Sequence, residues 1–189
     1  MSIPFYGQEG DGNVLSNVIN NDGYKEITVV TAADPSHTLS VSEGGIINIS
    51  AALAASSVIK LPECNADNVG LEYNIIYTGT MATASQIQLP NAGVGVFAGC
   101  VTVNRSGNGA GVADAAAVNR TTVVTTVAQA EKSLDLDEND VTFGGAIGTN
   151  LKFKYVSPSV CFVQGDILVN VASTAVDALQ ATTFTGTGY

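Results

Sequence analysis

Apolar and polar residues alternate one by one along much of this chain, and this period of two constrains the fold more than any other feature. Side chains of a β-strand point alternately to the two faces of its sheet, so an alternating segment buries one face and exposes the other. We therefore predict a strand in each alternating segment, with its second face in solvent or at an interface. The segments are Leu39–Val41, Ile47–Ile49, Ile59–Leu61, Leu71–Tyr77, Ile87–Leu89, Val101–Val103, Leu134–Leu136, Leu151–Tyr155 and Ile167–Val171.

Turn-forming residues separate the predicted strands. Glycine, asparagine, aspartate and proline cluster between them, for example at 43–45, 62–68, 106–111 and 164–166, and these residue types favour turns. Strands that recur about every 8–12 residues are typical of a sandwich or barrel. The predicted fold is therefore all-β, a β-sandwich of jelly-roll or related type with extended terminal arms, in which residues 25–189 form a single domain with a C-terminal tail.

Two of the predicted strand ends resemble each other. Residues 59–63 (IKLPE) and 87–91 (IQLPN) both read apolar, polar, leucine, proline, polar. Proline cannot donate a hydrogen bond to a sheet, so Pro62 and Pro90 are expected just beyond the ends of their strands. Five residues are too few to indicate a duplication by themselves.

Residues 1–24 differ from the rest of the chain, because they are rich in glycine and asparagine and show little alternation. We predict an extended N-terminal arm with an apolar tip that binds a neighbouring subunit. A strand laid along the same domain is the alternative. The C-terminal tail has a similar composition. The predicted contact residues of arm and tail are Ile3, Pro4, Phe5, Tyr6, Phe184 and Tyr189.

The chain carries few charges, and most of them are negative. Seven Lys and Arg residues against 17 Asp and Glu residues give a net charge of −10, and charged residues make up 13% of the chain, about half the usual share. The basic residues are scattered singly, so we expect neither nucleic acid nor an anionic membrane as a partner. A weakly charged surface is better tolerated where neighbouring subunits cover it, although a neutral free domain stays the alternative.

Neither a membrane span nor a secretion signal is predicted. No apolar run approaches the roughly 18 residues that a span requires, and residues 1–7 have neither the basic nor the apolar part of a signal peptide. The cysteines Cys64, Cys100 and Cys161 have no metal-ligand or redox spacing. We expect buried thiols in a reducing compartment, with one disulfide as the alternative.

Residues with catalytic chemistry are scarce. His37 is the single histidine, so a Ser-His-Asp or Cys-His system would have to use it. No nucleophile-elbow motif accompanies it. We expect a surface histidine beside a turn, and a protein that is not an enzyme, with no catalytic residues and no cofactor.

One acidic segment is similar to a calcium loop. Residues 135–140 (DLDEND) have the D-x-D-x-N opening that supplies oxygen ligands to calcium. Asp140, however, stands where the loop needs glycine, and Ala146 stands where it needs a closing carboxylate. We therefore predict an acidic turn after a strand and no bound metal, with calcium as the alternative.

Two regions resemble a module that recurs in virion proteins of tailed phages. Residues 29–34 (VVTAAD), 38–41 (TLSV), 58–62 (VIKLP) and 70–76 (GLEYNII) resemble its first half, and residues 143–153 (FGGAIGTNLKF) and 161–165 (CFVQG) resemble its ending, with Phe162 where tryptophan is common. The resemblance covers residues 29–78 and 141–165. It implies a capsid-surface decoration protein or a fibre-like head or tail component, often trimeric, without catalytic residues.

From the residues and the resemblance together, we expect a viral structural protein on the outer surface of a bacteriophage capsid, made in the host cytoplasm, that cements the head lattice. The expected partners are the major capsid protein and copies of the same chain, with a homotrimer favoured. Two alternatives stay open. One is a fibre or tail-associated adhesin subunit that binds a host receptor. The other is a lectin-like module, against which the lack of tryptophan and the low aromatic content of 6% count.

We predict that a chain lacking residues 1–22 folds but occupies its lattice poorly. Burying Phe5 and Tyr6 in a neighbour would contribute about 1.5–3 kcal/mol each, and many copies multiply the effect. Thermal melting followed by circular dichroism measures folding, and occupancy on particles measures attachment. Full occupancy would show that the arm is dispensable, whereas loss of folding would show that it is a strand of the domain.

Overall fold

A computed structural model describes residues 27–30, 36–50, 57–79, 85–106, 120–136, 147–170, 183–186 and 188–189. Within these ranges the backbone forms twelve β-strands and three short 3-10 helices. The all-β prediction is therefore confirmed. The predicted arm, residues 1–24, lies outside the described residues.

The strands form two mixed sheets. The larger sheet has seven strands in the order β1-β3-β5-β10-β11-β7-β8, and the smaller has five in the order β12-β9-β6-β4-β2. The strands of the larger sheet are β1 Ile27–Val30, β3 Gly45–Ile49, β5 Glu72–Tyr77, β7 Val96–Ser106, β8 Arg120–Thr125, β10 Asn150–Ser157 and β11 Val160–Asn170. Those of the smaller sheet are β2 Ser36–Thr38, β4 Ser57–Lys60, β6 Ser85–Gln88, β9 Ser133–Asp135 and β12 Thr183–Thr185. The 3-10 helices are Val41–Glu43, Ala66–Asn68 and Val127–Gln129.

The first six strands alternate between the two sheets, and strands of the same sheet pair in parallel. In the larger sheet β1 pairs with β3 and β3 with β5, and in the smaller sheet β2 pairs with β4 and β4 with β6. Each turn of the chain, which we call a coil, thus adds one strand to each of the two sheets. A jelly roll is built from antiparallel Greek keys, so this part of the sandwich follows a different connectivity.

The second and third of these coils are stacked with a constant offset. Ile47 pairs with Ile75 in one sheet and Ile59 with Ile87 in the other, which is 28 residues in both cases. The two similar sequences at 59–63 and 87–91 therefore lie side by side. The sequence echo marks equivalent positions of neighbouring coils, with both prolines beyond their strand ends as predicted.

A row of leucines continues the stacking beyond the strands. The backbone N–H of Leu39 donates to Lys60 O over 2.9 Å, and that of Leu61 donates to Gln88 O over 2.8 Å. Leu89 donates in the same way to Lys132 O over 2.8 Å. All three leucine side chains are buried, so the row adds to the core at the place where each coil leaves the smaller sheet.

The chain then changes direction. Strand β10 lies antiparallel between β5 and β11, and β7 lies parallel to β11 with β8 at its far edge. In the smaller sheet, β9 and β12 add antiparallel strands beyond β6. The antiparallel half thus closes the core that the parallel coils begin.

Two glycines allow β7, β10 and β11 to pair closely. Gly99 and Gly165 have φ angles of +136° and +145°. A Cβ atom at Gly99 would lie 2.0 Å from Val163 O, and one at Gly165 would lie 2.1 Å from Asn150 O. The turn predicted at 164–166 is therefore wrong: glycine serves there as a strand residue without a side chain, and β11 runs on through it.

One core fills the space between the sheets. The inward side chains predicted from alternation, including Tyr73, Ile75, Tyr77, Leu151 and Phe153, are fully buried. The strand predicted at Leu39–Val41 is wrong, since β2 ends at Thr38 and Val41 begins a 3-10 helix with its side chain exposed, although Leu39 is buried as predicted.

Buried tyrosines of the larger sheet bind carbonyls at the edge of the smaller sheet. The Tyr73 hydroxyl donates to Ser40 O and the Tyr155 hydroxyl donates to Pro62 O, each over 2.7 Å. Ser40 and Pro62 follow the leucines of successive coils, so the two bonds are equivalent. The two rings meet edge to face with centroids 6.3 Å apart. These bonds fix the coil ends against the opposite sheet.

We predict that Tyr155→Phe lowers the free energy of unfolding by about 1 kcal/mol, because it leaves the carbonyl of half-buried Pro62 without its donor. Tyr77→Phe is the matched control. The Tyr77 hydroxyl is buried beside Ser85, and neither hydroxyl has a partner with hydrogen-bond geometry. Its removal should change stability little. Urea denaturation of both variants measures the difference, and equal losses would contradict the role given to Tyr155.

Candidate interaction surfaces

His37 lies on β2, half-buried, where its side chain contributes to local structure. Its Nε2 atom is 3.2 Å from Glu43 Oε1. The other oxygen of this carboxylate accepts hydrogen bonds from the backbone N–H of Ser40, over 2.7 Å, and from the Ser40 hydroxyl, over 2.8 Å. The carboxylate therefore lies between serine and histidine, whereas a nucleophilic triad needs the histidine between serine and carboxylate. The arrangement caps the 3-10 helix.

The hydrogen bonds and the charge around Glu43 together lower its pKa by more than its partial burial raises it. Burial raises the pKa of this carboxyl, but the Ser40 backbone and hydroxyl, the His37 hydrogen bond and the His37 charge all lower it, so that the pKa lies below its usual range. The ionised carboxylate is thus the form that the fold stabilises.

The three cysteines are free thiols in two different environments. Cys64 and Cys161 are buried, as predicted, whereas Cys100 is exposed, and the prediction for Cys100 is wrong. Burial, with a smaller contribution from Glu63, raises the pKa of Cys64 to about 11, and burial also raises the pKa of Cys161. Both buried thiols stay protonated at neutral pH, which makes them poor nucleophiles.

The described ranges contain no group of three or more His, Cys, Asp and Glu side chains that could hold a metal ion. Of the calcium-like segment only Asp135 and Leu136 are described. Asp135 is buried, and its Oδ1 accepts a hydrogen bond from Ser133 Oγ over 2.5 Å. Residues 137–140 lie outside the described part, so the calcium alternative stays open.

The outer faces of the two sheets differ in accessibility. On the smaller sheet, Gln88, Ser133 and Asp135 point away from the core and are buried, whereas Ser36 and Thr38 on the edge strand β2 are exposed. On the larger sheet, the outward side chains of β3, β5 and β10, and those at 162, 164 and 166 on β11, are exposed or half-buried. The larger sheet thus offers the more extensive accessible face, and we refer to it as the outer face.

A group of apolar side chains lies on the half of the outer face formed by β7, β8, β10 and β11, which we call the apolar half; on the other half, Val29 of β1 is 52% exposed. Phe162 lies beside Ala98, and Cys100 lies beside Val124 one row further along the sheet. Val124 is 57% exposed and Phe162 is 38% exposed. Val156, at the register shift between β10 and β11, is a further exposed apolar side chain of this half. Scattered exposed apolar residues are normal, but several on one face indicate an interaction site.

Some charges on the outer face have partners within the sheet, whereas Lys154, the register partner of Phe162, is exposed. Lys152 Nζ lies 2.8 Å from Glu72 Oε1, and the Asn104 amide donates to Asp166 Oδ1 over 2.8 Å. Pairing reduces the desolvation cost when a partner covers such groups. The sequence predicted that these strands have a second face at solvent or an interface, but it did not identify which side chains group together.

The aromatic residues of the predicted tail contacts bind within their own chain. Phe184 is buried in the core, and its ring lies 6.2 Å from that of Phe97. The Tyr189 hydroxyl donates to Leu61 O over 2.8 Å, and Lys60 Nζ lies 5.2 Å from the Tyr189 ring centroid. The other predicted contact residues, Ile3, Pro4, Phe5 and Tyr6, lie outside the described residues.

Lys132 organises the loop that receives the tail. Its ammonium group donates to the carbonyl oxygens of Pro90, Asn91 and Gly93 over 3.3, 2.8 and 2.5 Å. The lysine thus fills a ring of backbone oxygens and orients Asn91 towards Gly188. The sequence around Lys132 does not predict this role, because the lysine has no local motif and its partners lie about forty positions earlier.

Within the described part of the chain, no helix is long and apolar enough to cross a membrane. Comparisons with protein-family models, curated proteins and solved structures found no match to this chain. The function must therefore be argued from the surfaces themselves.

We predict that Glu43→Gln makes stability less sensitive to acid. A carboxyl whose pKa is lower in the folded state adds stability above its ordinary pKa of 4.5, and this contribution disappears as the pH falls through the folded-state pKa. The unaltered chain should lose more stability than Glu43→Gln between about pH 6 and about pH 3. Urea denaturation at both pH values measures the loss, and equal losses would contradict the coupling.

Proposed function

We propose that this protein is a structural subunit of a bacteriophage particle, a decoration protein that cements the outer surface of the capsid. Its partners would be the major capsid protein and further copies of itself, with a trimer favoured. The observation that carries the proposal is the outer face, where Phe162, Val124 and Val156 are exposed together on a rigid sheet.

Exposing the apolar side chains of this face to water is unfavourable. Apolar area removed from water contributes roughly 25 cal/mol per Å², so covering the exposed parts of a phenylalanine and two valines stabilises a contact. Glu72 and Lys152 on the same face already form an ion pair, whereas Lys154, the register partner of Phe162, is exposed. A partner that covers the face would therefore leave Lys154 in water or supply a carboxylate to it.

The rigidity of the scaffold supports the same role. A protein that cements a lattice has to hold its contact surface in a fixed shape, since ordering a flexible surface on binding costs entropy. Here the strands that carry the apolar half of the outer face, β7, β8, β10 and β11, pair with each other over long registers. The face is therefore organised before any partner binds.

The chemical groups of the described residues favour a structural role over catalysis. His37 and Ser40 both bind Glu43 at the helix cap, and two of the three thiols are buried. We therefore extend the proposal to the absence of enzymatic activity. The resemblance of residues 29–78 and 141–165 to phage virion proteins is what directs it to a capsid rather than to another assembly.

We predict that Phe162→Asp and Val124→Asp reduce occupancy on capsids at least tenfold while the melting temperature changes by only a few degrees. A carboxylate in the covered face would lose its hydration, whereas in the free subunit it faces water. Val94→Asp is the matched control, because Val94 is 70% exposed but lies in a loop outside both sheets.

Occupancy can be measured by quantitative gel analysis of particles reconstituted with each variant, and folding by circular dichroism. If the outer-face variants bind capsids as well as Val94→Asp does, the outer face is not the contact. If the unaltered chain and all of its variants fail to bind capsids, the decoration role itself is wrong.

A further inference from the structure

The C-terminal residues Gly188 and Tyr189 occupy a groove formed by distant parts of the chain. The Asn91 amide donates to Gly188 O and accepts from the Gly188 N–H, each over 2.7 Å. The Tyr189 N–H donates to Leu89 O over 3.2 Å, and the Asn91 N–H donates to Tyr189 O over 2.8 Å. The groove thus satisfies both backbone groups of Gly188 with a single side chain.

The groove selects glycine followed by tyrosine. A Cβ atom at Gly188 would lie 2.0 Å from Leu89 O, so a larger residue would collide with backbone. At the next position, the Tyr189 hydroxyl reaches Leu61 O and the ring lies under the Lys60 ammonium. A cation over an aromatic face and a phenol on a carbonyl both distinguish tyrosine from aliphatic residues.

The preceding strand enters the sheet as an added edge strand. β12 pairs with β9 alone, at the end of the strand order, and Lys132 N donates to Thr185 O over 2.7 Å. Phe184 places its ring against Phe97. Edge addition by backbone pairing, with side chains in alternate pockets, is how sheets bind peptides in trans.

We propose that this groove, together with the edge of β9 on which β12 lies, is an acceptor site for the tail, residues 183–189, of a second copy, so that copies are joined by exchanged tails. The described contacts of the tail are made with the coils, β7 and β9, and each would be the same whichever copy supplied the tail. Residues 171–182 connect the tail to β11, and twelve residues of chain can span at most about 40 Å. Exchange of identical elements is a low-cost route to oligomers.

The proposal rests on the assembly role proposed above, but a separate set of residues carries it. Two full-length variants test it by complementation. Gly188→Ala damages the tail and leaves the groove intact, whereas Asn91→Ala damages the groove and leaves the tail intact. Gly186→Ala is the matched control, because a Cβ atom there has nothing within 4 Å.

The measurement is native mass spectrometry of each variant alone and of an equal mixture refolded together. If tails are exchanged, Gly188→Ala and Asn91→Ala alone each form at least tenfold less oligomer than the unaltered chain. Gly186→Ala forms as much oligomer as the unaltered chain. The mixture of Gly188→Ala and Asn91→Ala forms dimers that contain one copy of each variant. Those mixed dimers arise because the intact tail of one variant fits the intact groove of the other.

Two results would overturn the exchange. One is an unaltered chain that stays monomeric, and the other is a mixture without mixed dimers. Phe162→Asp separates this failure from failure of the proposed function. If Phe162→Asp loses capsid occupancy while Gly188→Ala keeps it, the decoration role stands and the exchange is rejected. If mixed dimers form but no chain binds capsids, the exchange stands and the decoration role is rejected.

Discussion

The structure depends on the in-register stacking of successive coils in two sheets at once. A shift of one residue in either sheet would turn every core side chain of that strand outward, and because each coil contributes to both sheets, a shift in one would displace the other. The common offset of 28 residues at Ile47–Ile75 and Ile59–Ile87 keeps the two registers consistent. The core, the outer face and the tail groove are all positioned by this agreement.

Each of the three parallel coils has a backbone carbonyl at the point where the chain exits the smaller sheet. A side chain from another part of the protein donates a hydrogen bond to each of these carbonyls. Tyr73 and Tyr155 bind the carbonyls of Ser40 and Pro62, and Lys132 binds the equivalent carbonyl of Pro90. The change from phenol to ammonium comes at the last parallel coil, where the neighbouring chain is antiparallel. There, one charged donor reaches three oxygens of a turning loop and prepares the surface on which Gly188 rests.

Local pattern predicted which residues form strands and which side chains point inward, because both depend on a period of two within a few residues. It did not predict which strands pair, since parallel pairing of β1, β3 and β5 joins residues 19 to 28 positions apart through a strand of the other sheet. It was wrong at Gly165, where glycine indicates a turn by propensity but is required by a close backbone approach. Of the candidate sites, the second face was expected, whereas the roles of Asn91 and Lys132 arise only from tertiary contact.

The exposed thiol of Cys100 makes the outer face chemically addressable. The other two cysteines are buried, and thiol reagents act on accessible thiolates, so alkylation of the folded protein would be confined to one position between Ala98 and Thr102. That position pairs with Val124 within the apolar half of the face. The rate at which Cys100 is alkylated therefore reports whether this part of the sheet is covered, and the measurement needs no amino-acid substitution.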